Sequence, residues 1–253
     1  MGNQSLSGRV VVVTGGAQGI GRALSLHLAR AGARVIVADR NIRGAEAVRA
    51  ESTGQGELAA VALDVTSQDS VAELAAELER SYGRVDGLIN NAAIFSTITM
   101  KPFWQITIEE WDALMAVNLR GPWMVTTALL PLLQKSASAS IVNIGSDSVW
   151  EGRQGYLHYT SSKAGVQGMG FSMSHELGRF GIRVNTISPG AIATEIPRET
   201  VTPEQEQAML AARPLSRRGV PDDLAGVAAF LLSDASGFIT GQTISVNGGI
   251  LHR

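Results

Sequence analysis

Short apolar runs, separated by longer amphipathic stretches, recur along the whole chain. Residues 9–14 include four consecutive valines, a β-branched run typical of a strand that is buried on both faces. Runs of this kind predict seven strands, at residues 9–14, 33–38, 58–63, 87–90, 140–144, 183–187 and 242–246. The stretches between them predict helices, the first ending near residue 31 and the others at residues 42–52, 66–82, 107–134, 159–180, 203–212 and 221–232.

This alternation of strands and helices predicts the fold class. Parallel strands need long crossover connections, so the helices should cover both faces of the sheet. We therefore expect an α/β protein with a doubly wound parallel sheet of about seven strands. No linker or break in composition divides residues 1–253, and a single domain is expected.

Capping residues and helix breakers mark several helix ends. Gly32 stands at the expected C-cap of the first helix. The pattern Thr-x-x-Asp at residues 66–69 resembles a capping box, and Thr-x-x-Glu at residues 107–110 is a fuller one. Gly-Pro at residues 121–122 should bend the long helix, because proline lacks the N–H that the helix needs.

A glycine turn joins the first strand to the first helix. Residues 15–21 read Gly-Gly-Ala-Gln-Gly-Ile-Gly, and Asp39 ends the second strand 18 residues past Gly21. Glycines let the backbone approach a pyrophosphate, the helix N-terminus offers it unpaired N–H groups, and the acid can bind ribose hydroxyls. The unit predicts a Rossmann-like dinucleotide site.

Composition excludes several classes of function. Hydrophobic residues at 45% and charged residues at 17% are typical of a soluble globular protein, and a formal net charge of −2 gives no electrostatic basis for binding nucleic acid or a membrane. No apolar run approaches the roughly 20 residues that span a bilayer, and no signal sequence is recognised. The absence of cysteine excludes thiolate metal sites and fits the cytoplasm. We expect no bound metal.

Tyr159 and Lys163 form the most informative pair of polar residues. They are four positions apart in a predicted helix, so both side chains can point into one pocket. A fixed positive charge stabilises a phenolate and lowers the phenol pKa from its usual value of about 10. Tyr159 could then take a proton from an alcohol or return one to a ketone.

Other polar residues and turns fall just past the ends of predicted strands. These are Asp39, Asp64, Asn91, Ser146 and Pro189-Gly190. In open parallel sheets, ligands bind beyond the carboxyl ends of the strands. The residues are therefore expected to converge on one site, together with the glycine turn.

With these residues placed, the chain from about residue 6 to its end resembles the classical short-chain dehydrogenase/reductases. Residues 14–21, Thr-Gly-x-x-x-Gly-x-Gly, match the cofactor motif of the family. Asn90-Asn91-Ala92-Ala93 matches its sheet-stabilising motif, with Ala93 where glycine is commoner. Pro189-Gly190 and Thr194 match the segment that holds the nicotinamide.

The resemblance also implies a catalytic tetrad of Asn118, Ser146, Tyr159 and Lys163, with a usual separation of 13 between the serine and the tyrosine. Ser146 would bind the substrate oxygen, Tyr159 would be the general acid/base, and Lys163 would lower its pKa while bonding the nicotinamide ribose. Asn118 would hold a water in a proton relay. Simpler structural roles remain open: Ser146 could cap a strand end, Asn118 could satisfy the bend at residues 121–122, and Asp64 could cap the following helix.

NAD is favoured over NADP as the cofactor. Asp39 would accept hydrogen bonds from both ribose hydroxyls and would repel a 2′-phosphate. Gln18 stands where NADP-preferring relatives often carry Arg or Lys, whereas Arg40 is a cation that could pair with the phosphate. The expected cofactor-binding residues are Gly15, Gln18, Gly19, Ile20, Gly21, Asp39, Arg40, Asp64, Val65, Asn91, Ala92, Ala93, Tyr159, Lys163, Pro189, Gly190, Ile192 and Thr194.

The substrate pocket is expected between residues 94–104, residues 147–158 and a mobile lid at residues 191–213. Apolar side chains there favour a hydrophobic secondary alcohol or ketone, and Trp150 and His158 could stack on a ring. Residues 99–103, 158–163 and 248–253 resemble the aryl secondary-alcohol dehydrogenases, of the 1-phenylethanol type. The expected substrate-binding residues are Phe95, Ser146, Ser148, Trp150, Tyr159 and Ile196.

Three alternative functions remain open. A 3-oxoacyl carrier-protein reductase should prefer NADP and carry a basic docking patch. A polyol or sugar dehydrogenase should have a polar pocket, for which Asp147, Glu151 and Arg153 are candidates. A non-catalytic NAD-binding regulator would usually lose part of the tetrad. The family resemblance further implies a homotetramer, in which the Asn118 and Tyr159 helices pair across one interface and the C-terminal strand and helix across another.

Overall fold

The computed structural model describes residues 6–52, 55–196, 207 and 210–252 of the chain. Within them, one parallel sheet has the strand order β3-β2-β1-β4-β5-β6-β7. The strands are β1 Val10–Thr14, β2 Arg34–Asp39, β3 Glu57–Ala62, β4 Gly87–Asn90, β5 Ser140–Ile144, β6 Arg183–Pro189 and β7 Thr243–Val246. The predicted doubly wound α/β fold is confirmed. Parts of the predicted helix at residues 203–212 and of the predicted lid at residues 191–213 lie outside the described residues.

Helices cover both faces of this sheet. They are α1 Gly19–Arg30, α2 Ile42–Ala50, α3 Gln68–Tyr82, α4 Ile108–Met115, α5 Gly121–Leu133, α6 Ser148–Glu151, α7 Leu157–Leu177 and α8 Asp222–Leu232. In the described part of the chain, none of them has the length and apolar character needed to cross a membrane.

The valines of β1 show why the sheet needs both layers. Val10 and Val12 join a core with residues of α3 and α5, whereas Val11 and Val13 join a second core with residues of α1 and α8. All four valines are buried. Alternate strand residues point to opposite faces, so a continuous apolar run requires helices on each side.

Of the two predicted capping boxes, one is confirmed and one is wrong, and the C-cap of α1 is Ala31, one residue before the predicted Gly32. Thr107 and Glu110 form the reciprocal capping box at the start of α4. At α3 the N-cap is Ser67, whose side chain accepts a hydrogen bond from the backbone N–H of Ser70. Thr66 stands one residue too early to be the cap, because α3 begins at Gln68, and its hydroxyl donates to a carboxylate oxygen of Asp64 at 2.6 Å.

The predicted helix at residues 107–134 is interrupted by a wider turn. A five-residue π-helical segment, Ala116–Arg120, links α4 to α5. Pro122 then stands in the first turn of α5, where its missing N–H is tolerated. The irregularity thus lies just before the Gly-Pro pair, and it carries Asn118.

Strand β6 continues through Pro189, two residues beyond the predicted end. Proline is tolerated because the N–H groups that donate towards β7 belong to alternate residues, Thr186 to the Gln242 carbonyl at 2.8 Å and Gly190 to the Val246 carbonyl at 3.0 Å, and Pro189 lies out of step with them. The Pro189 carbonyl accepts from the Asp147 N–H at 3.0 Å. This extension brings the Pro189-Gly190 turn to the carboxyl edge of the sheet.

Candidate active site

A cleft of about 470 Å³ opens at the carboxyl edge of the sheet. It brings together most of the predicted cofactor residues: Gly15, Gln18, Gly19, Ile20, Asp39, Arg40, Asp64, Val65, Asn91, Ala92, Ala93, Tyr159, Lys163, Pro189, Gly190, Ile192 and Thr194. Phe95, Ser146 and Ser148 line it as well. Ile196, predicted to bind substrate, lies instead against the glycine turn, because a Cβ on Gly19 would be 3.2 Å from its Cδ1 atom. Gly21, Asn118 and Trp150 do not line it. The roles of these residues stay predictions.

The glycine turn between β1 and α1 can be built only with glycine at two positions. A Cβ on Gly15, whose φ is +64°, would lie 2.8 Å from the Ala92 Cα atom. A Cβ on Gly21 would lie 2.1 Å from the Gly15 carbonyl oxygen, so Gly21 supports the turn from behind the cleft. The backbone at the N-terminus of α1 is therefore open to a close ligand, as a pyrophosphate requires.

The first backbone N–H of α1 already binds a carboxylate. Gly19 donates to an Oε atom of Glu195 at 2.7 Å. A helix N-terminus favours anions through its free N–H groups and its dipole. An acidic oxygen at this amide supports the predicted phosphate site. Sequence reasoning missed Glu195, because the contact joins residues 176 positions apart.

Asp39 is held at the end of β2 with its carboxylate in the cleft. One of its oxygens accepts from the Ala17 N–H at 3.0 Å, and the other accepts from the Asn41 N–H at 2.8 Å. The two amides fix the carboxylate between the glycine turn and the start of α2. An acceptor-only group fixed in this way fits a dinucleotide ribose.

Asp64 follows β3 and is oriented in a similar way. A single oxygen of its carboxylate accepts from both the N–H of Thr66 at 2.8 Å and its hydroxyl at 2.6 Å. These hydrogen bonds, helped by the charge of Arg40, lower the pKa of Asp64 below its usual value. Asp64 therefore stabilises the turn that precedes α3, while Ser67 caps the helix itself.

Asn91 and Thr14 join the glycine turn to β4. The Asn91 amide nitrogen donates to the carbonyls of Thr14 and Gly15, at 3.0 and 2.9 Å. In return, the Thr14 hydroxyl accepts from the N–H groups of Asn91 and Ala92. These bonds hold the two strand ends together beneath the cleft.

Tyr159 and Lys163 lie on one face of α7. Lys163 Nζ is 5.9 Å from the centre of the Tyr159 ring and donates to the Ile144 carbonyl at 2.8 Å. Both residues are buried. Burial lowers the pKa of Lys163 to about 8, because an ammonium in a dry site lacks hydration. The lysine can thus hold or release a proton near neutral pH.

Asn118 is buried behind this pair, in the π-helical segment. Its side-chain oxygen accepts from the Ile94 N–H at 2.7 Å, and its nitrogen donates to the Ile94 carbonyl at 3.1 Å and to the Ser162 hydroxyl at 3.3 Å. The side chain satisfies the backbone of the loop after β4, and the Gly-Pro bend is not its partner. Asn118 therefore connects that loop to α7.

Ser146 follows β5 and starts the turn into α6. Its hydroxyl accepts from the Ser148 N–H at 3.2 Å, and the residue lines the cleft together with Tyr159. A hydroxyl can accept one bond and still donate another. The capping role and the substrate role proposed for Ser146 are thus compatible.

The substrate end of the cleft has an aromatic wall. The Phe95 ring lies 4.7 Å from the Tyr159 ring, and its other neighbour is the buried Tyr156 ring at 6.0 Å. These rings pack with Ile94 and Ile98 in one apolar cluster. Phe95 and Ile94 of this cluster therefore give the cleft an apolar patch next to the Tyr159 ring.

Trp150 does not take the predicted place in this wall. Its side chain is half exposed, whereas Ser148 and Glu151 line the cleft. In the single turn of α6, residues three apart share a face and residues two apart do not. His158 likewise lies off the cleft and is buried near Glu110, because it is next to Tyr159 on the helix.

Four polar residues lie at the mouth of the cleft, and only Glu151 and Arg153 were named from the sequence as candidates for a polar pocket. Ser96, Thr97, Glu151 and Arg153 line it on the outer side. The Arg153 guanidinium stacks over the Tyr156 ring at 4.8 Å. Asp147, which was a candidate for a polar pocket, is buried and directs its carboxylate to Ser188, Ser245 and Asn247.

Comparison with known proteins agrees with this geometry. A family profile described as Enoyl-(Acyl carrier protein) reductase matches residues 15–251. The chain is 37% identical over 247 residues to the 3-oxoacyl-[acyl-carrier-protein] reductase FabG of Thermotoga maritima, covering 97% of this chain and 99% of that protein. It is 36% identical to the (2S)-[(R)-hydroxy(phenyl)methyl]succinyl-CoA dehydrogenase subunit BbsD of Thauera aromatica, with 96% and 97% covered. A solved structure assigned as a short-chain alcohol dehydrogenase from Sinorhizobium meliloti 1021 matches with a TM-score of 0.91 at 32% identity, covering 98% of each chain.

Proposed function

Because this chain belongs to the classical short-chain dehydrogenase/reductase family, whose members are oxidoreductases acting on CH–OH groups with a nicotinamide cofactor, we propose that it is an NAD-dependent dehydrogenase of hydrophobic, aryl-bearing secondary alcohols and the matching ketones. The proposed substrate class rests on one observation: the centre of the Phe95 ring lies 4.7 Å from the centre of the ring of Tyr159, the proposed acid/base.

The preference for NAD rests on Asp39. Its carboxylate is fixed by the Ala17 and Asn41 amides, so it cannot easily turn away from a 2′-phosphate. Two negative charges at that distance repel, whereas two ribose hydroxyls can each donate to the carboxylate. Arg40 is exposed and its charge acts on Asp64, which reduces its attraction for a phosphate.

The chain's residues divide the chemistry among them. The nicotinamide, when bound, accepts or supplies the hydride. Tyr159 takes the proton from the alcohol or returns it to the ketone, and Ser146 donates a hydrogen bond to the same oxygen. Lys163 holds a positive charge beside the tyrosine ring and favours the phenolate.

The aromatic wall supports an aryl group on the substrate carbon. An aryl ring placed beside Phe95 would bury apolar surface and could stack, which adds roughly 0.5–1.5 kcal/mol for an aromatic pair. The similarity to BbsD is consistent with this, since its name describes a secondary alcohol that carries a phenyl group. Polar residues at the mouth would face the rest of the substrate.

A substrate panel tests the proposal. Initial rates are measured with 1-phenylethanol and acetophenone, an aliphatic pair of similar size, a polyol and a 3-oxoacyl thioester, each with the NAD and NADP couples. We expect NAD-linked turnover of the aryl pair, with kcat/KM falling about tenfold or more in Phe95→Ala. Phe103→Ala is the matched control, because Phe103 is exposed on the same loop. A higher kcat/KM for the polyol or the thioester would overturn the proposal.

A second candidate is reduction of 3-oxoacyl thioesters. It is favoured by the 37% identity to a reductase of that name over nearly the whole of both chains. The open mouth with Arg153 would also admit a long or anionic acyl carrier. The fixed Asp39 argues against the NADP preference expected for such a reductase, and the thioester in the panel separates the two functions.

The homotetramer also remains a proposal. Trp123 on α5 and Phe171 on α7 are about half exposed, and Phe238, shortly before β7, is fully exposed. Large aromatic residues at such positions support burial against another copy. Light scattering of the purified protein should give four times the monomer mass, and a monomer would contradict this assembly.

A further inference from the structure

The residue after Ser146 is a buried carboxylate with three side-chain donors. Asp147 accepts from the Ser188 hydroxyl at 2.6 Å, from the Ser245 hydroxyl at 3.1 Å and from the Asn247 amide nitrogen at 2.6 Å. Its side chain is 1% exposed. Burying a charge is unfavourable unless such donors surround it, so the arrangement is specific to a carboxylate.

These donors come from elements that are far apart in the sequence. Ser188 belongs to β6, Ser245 to β7, and Asn247 follows β7. The backbone of Asp147 adds to the connection, because its N–H donates to the Pro189 carbonyl at 3.0 Å. Its backbone carbonyl accepts from the N–H groups of Trp150 and Glu151, so the backbone of Asp147 is also tied to α6.

The network continues to the turn that lines the cofactor cleft. A Cβ on Gly190 would lie 2.8 Å from the Asn247 Cβ atom, so the two residues are in close contact. Asn247 is held in turn by the Gly249 N–H at 2.8 Å and by the Leu251 carbonyl at 3.1 Å. Asp147 therefore connects Ser146, the Pro189-Gly190 turn and the segment after β7.

We propose that Asp147 is a positioning residue, which fixes Ser146 relative to the Pro189-Gly190 turn. The inference rests on the proposed function, in which Ser146 holds the substrate oxygen and the Pro189-Gly190 turn holds the nicotinamide end of the cofactor. Hydride transfer requires the substrate and the nicotinamide to keep their relative positions, and a misplacement of about 1 Å can reduce rates by about 100-fold. Asp147 itself does not touch the reacting atoms.

The variant Asp147→Asn keeps the shape of the side chain and replaces one acceptor oxygen with an NH₂ donor. That donor would face the Asn247 nitrogen or a serine hydroxyl that is already oriented to donate. The double variant Asp147→Asn with Asn247→Asp exchanges donor and acceptor and restores the hydrogen bond between these two side chains in the reverse direction, while the Asn247 bond to the Leu251 carbonyl is lost. The two serine hydroxyls can rotate to suit either arrangement.

Asp86→Asn is the matched control for simple loss of stability. Asp86 is also a buried carboxylate, and it accepts from the Val10 N–H, the Ser136 hydroxyl and the Arg84 guanidinium. It precedes β4, at the opposite edge of the sheet from the cleft. Its replacement should lower the melting temperature without altering the site.

Each variant is measured for NADH affinity by fluorescence titration, for kcat on the best substrate and for melting temperature. We expect Asp147→Asn to raise the NADH Kd and lower kcat by about tenfold or more, and the exchange variant to recover part of both losses. Asp86→Asn should change Kd and kcat less than about twofold at a similar loss of stability.

Two outcomes would overturn the inference: unchanged NADH affinity in Asp147→Asn, or equal losses in Asp86→Asn. If the wild-type protein turns over none of the panel substrates, the proposed function fails. The NADH titration still decides the positioning role of Asp147 in that case, because it needs no substrate.

Discussion

The buried charge of Lys163 should support catalysis and at the same time lower the free energy of unfolding. The side chain is buried, and its pKa falls from the usual 10.5 to about 8. A difference of this size corresponds to about 3 kcal/mol against the charged form in the folded state. Replacing Lys163 with Met removes that unfavourable charge and fills a similar volume.

The expected gain is smaller than this figure because one hydrogen bond is lost. Lys163 Nζ donates to the Ile144 carbonyl, and losing such a donor costs about 1 kcal/mol. We therefore expect Lys163→Met to raise the free energy of unfolding at pH 7 by about 2 kcal/mol. Turnover should fall at least about 100-fold, since the phenolate of Tyr159 loses its nearby charge.

The dependence on pH has a defined sign. Between about pH 8 and pH 10.5, Lys163 is neutral in the folded state but still protonated in the unfolded chain. The unfolded state then binds more protons, so wild-type stability rises with pH relative to the Met variant. The advantage of Lys163→Met should therefore be largest below pH 8 and shrink towards pH 10.5.

Urea unfolding of the cofactor-free proteins at several pH values measures this difference. The protein concentration is held constant, because assembly adds to apparent stability. Lys135→Met is the control, since Lys135 is about half exposed and should show no such trend. A Lys163→Met protein that is less stable at pH 7, with a pH-independent difference, would refute the reasoning.

Three further predictions concern the cofactor site and the fold. Asp39→Ser should raise kcat/KM with NADP relative to NAD by about tenfold or more, because the charge that repels the 2′-phosphate is gone; rates with both cofactors measure this. Glu195→Gln should lower the NADH Kd several-fold in a fluorescence titration, since a carboxylate no longer competes at the Gly19 amide. Thr107→Ala should reduce the free energy of unfolding by about 1 kcal/mol through loss of the capping box, as urea titration would detect.

Each of these predictions has a clear contrary result. An unchanged cofactor ratio in Asp39→Ser would show that another residue selects the cofactor. A weaker NADH affinity in Glu195→Gln would show that the carboxylate supports the bound cofactor. Unchanged stability in Thr107→Ala would mean that the capping box adds nothing in the folded protein.

Local signals in the sequence predicted the parts of the fold that local physics controls. The valine run of β1 requires helices on both faces, and the glycines at residues 15–21 are needed for a close turn. The Tyr159 and Lys163 pair depends only on helical spacing, which the structure retains. For this reason the strands, the glycine turn and the strand-end residues of the cleft could be predicted from residue pattern, whereas Thr194 and the role of Ser146 were implied by the family resemblance.

The errors arose where the outcome depends on contacts between distant residues or on competing local bonds. Thr66 is not the cap because α3 begins at Gln68, and a sequence pattern does not show which of two neighbouring hydroxyl residues, Thr66 or Ser67, becomes the N-cap. Trp150 points away because α6 is a single turn whose other face lines the cleft. Glu195 and the donors of Asp147 become neighbours only after the strands are aligned.

The most direct test of the account is the rate of NADH-linked ketone reduction in Tyr159→Phe, measured beside NADH affinity. The account predicts that kcat falls by about 100-fold or more, because the proton donor is lost, while the NADH Kd rises by no more than about fivefold, the effect of losing one hydrogen bond to the cofactor. A Tyr159→Phe protein with near wild-type kcat would contradict the assignment of Tyr159 as the acid/base and with it the proposed mechanism.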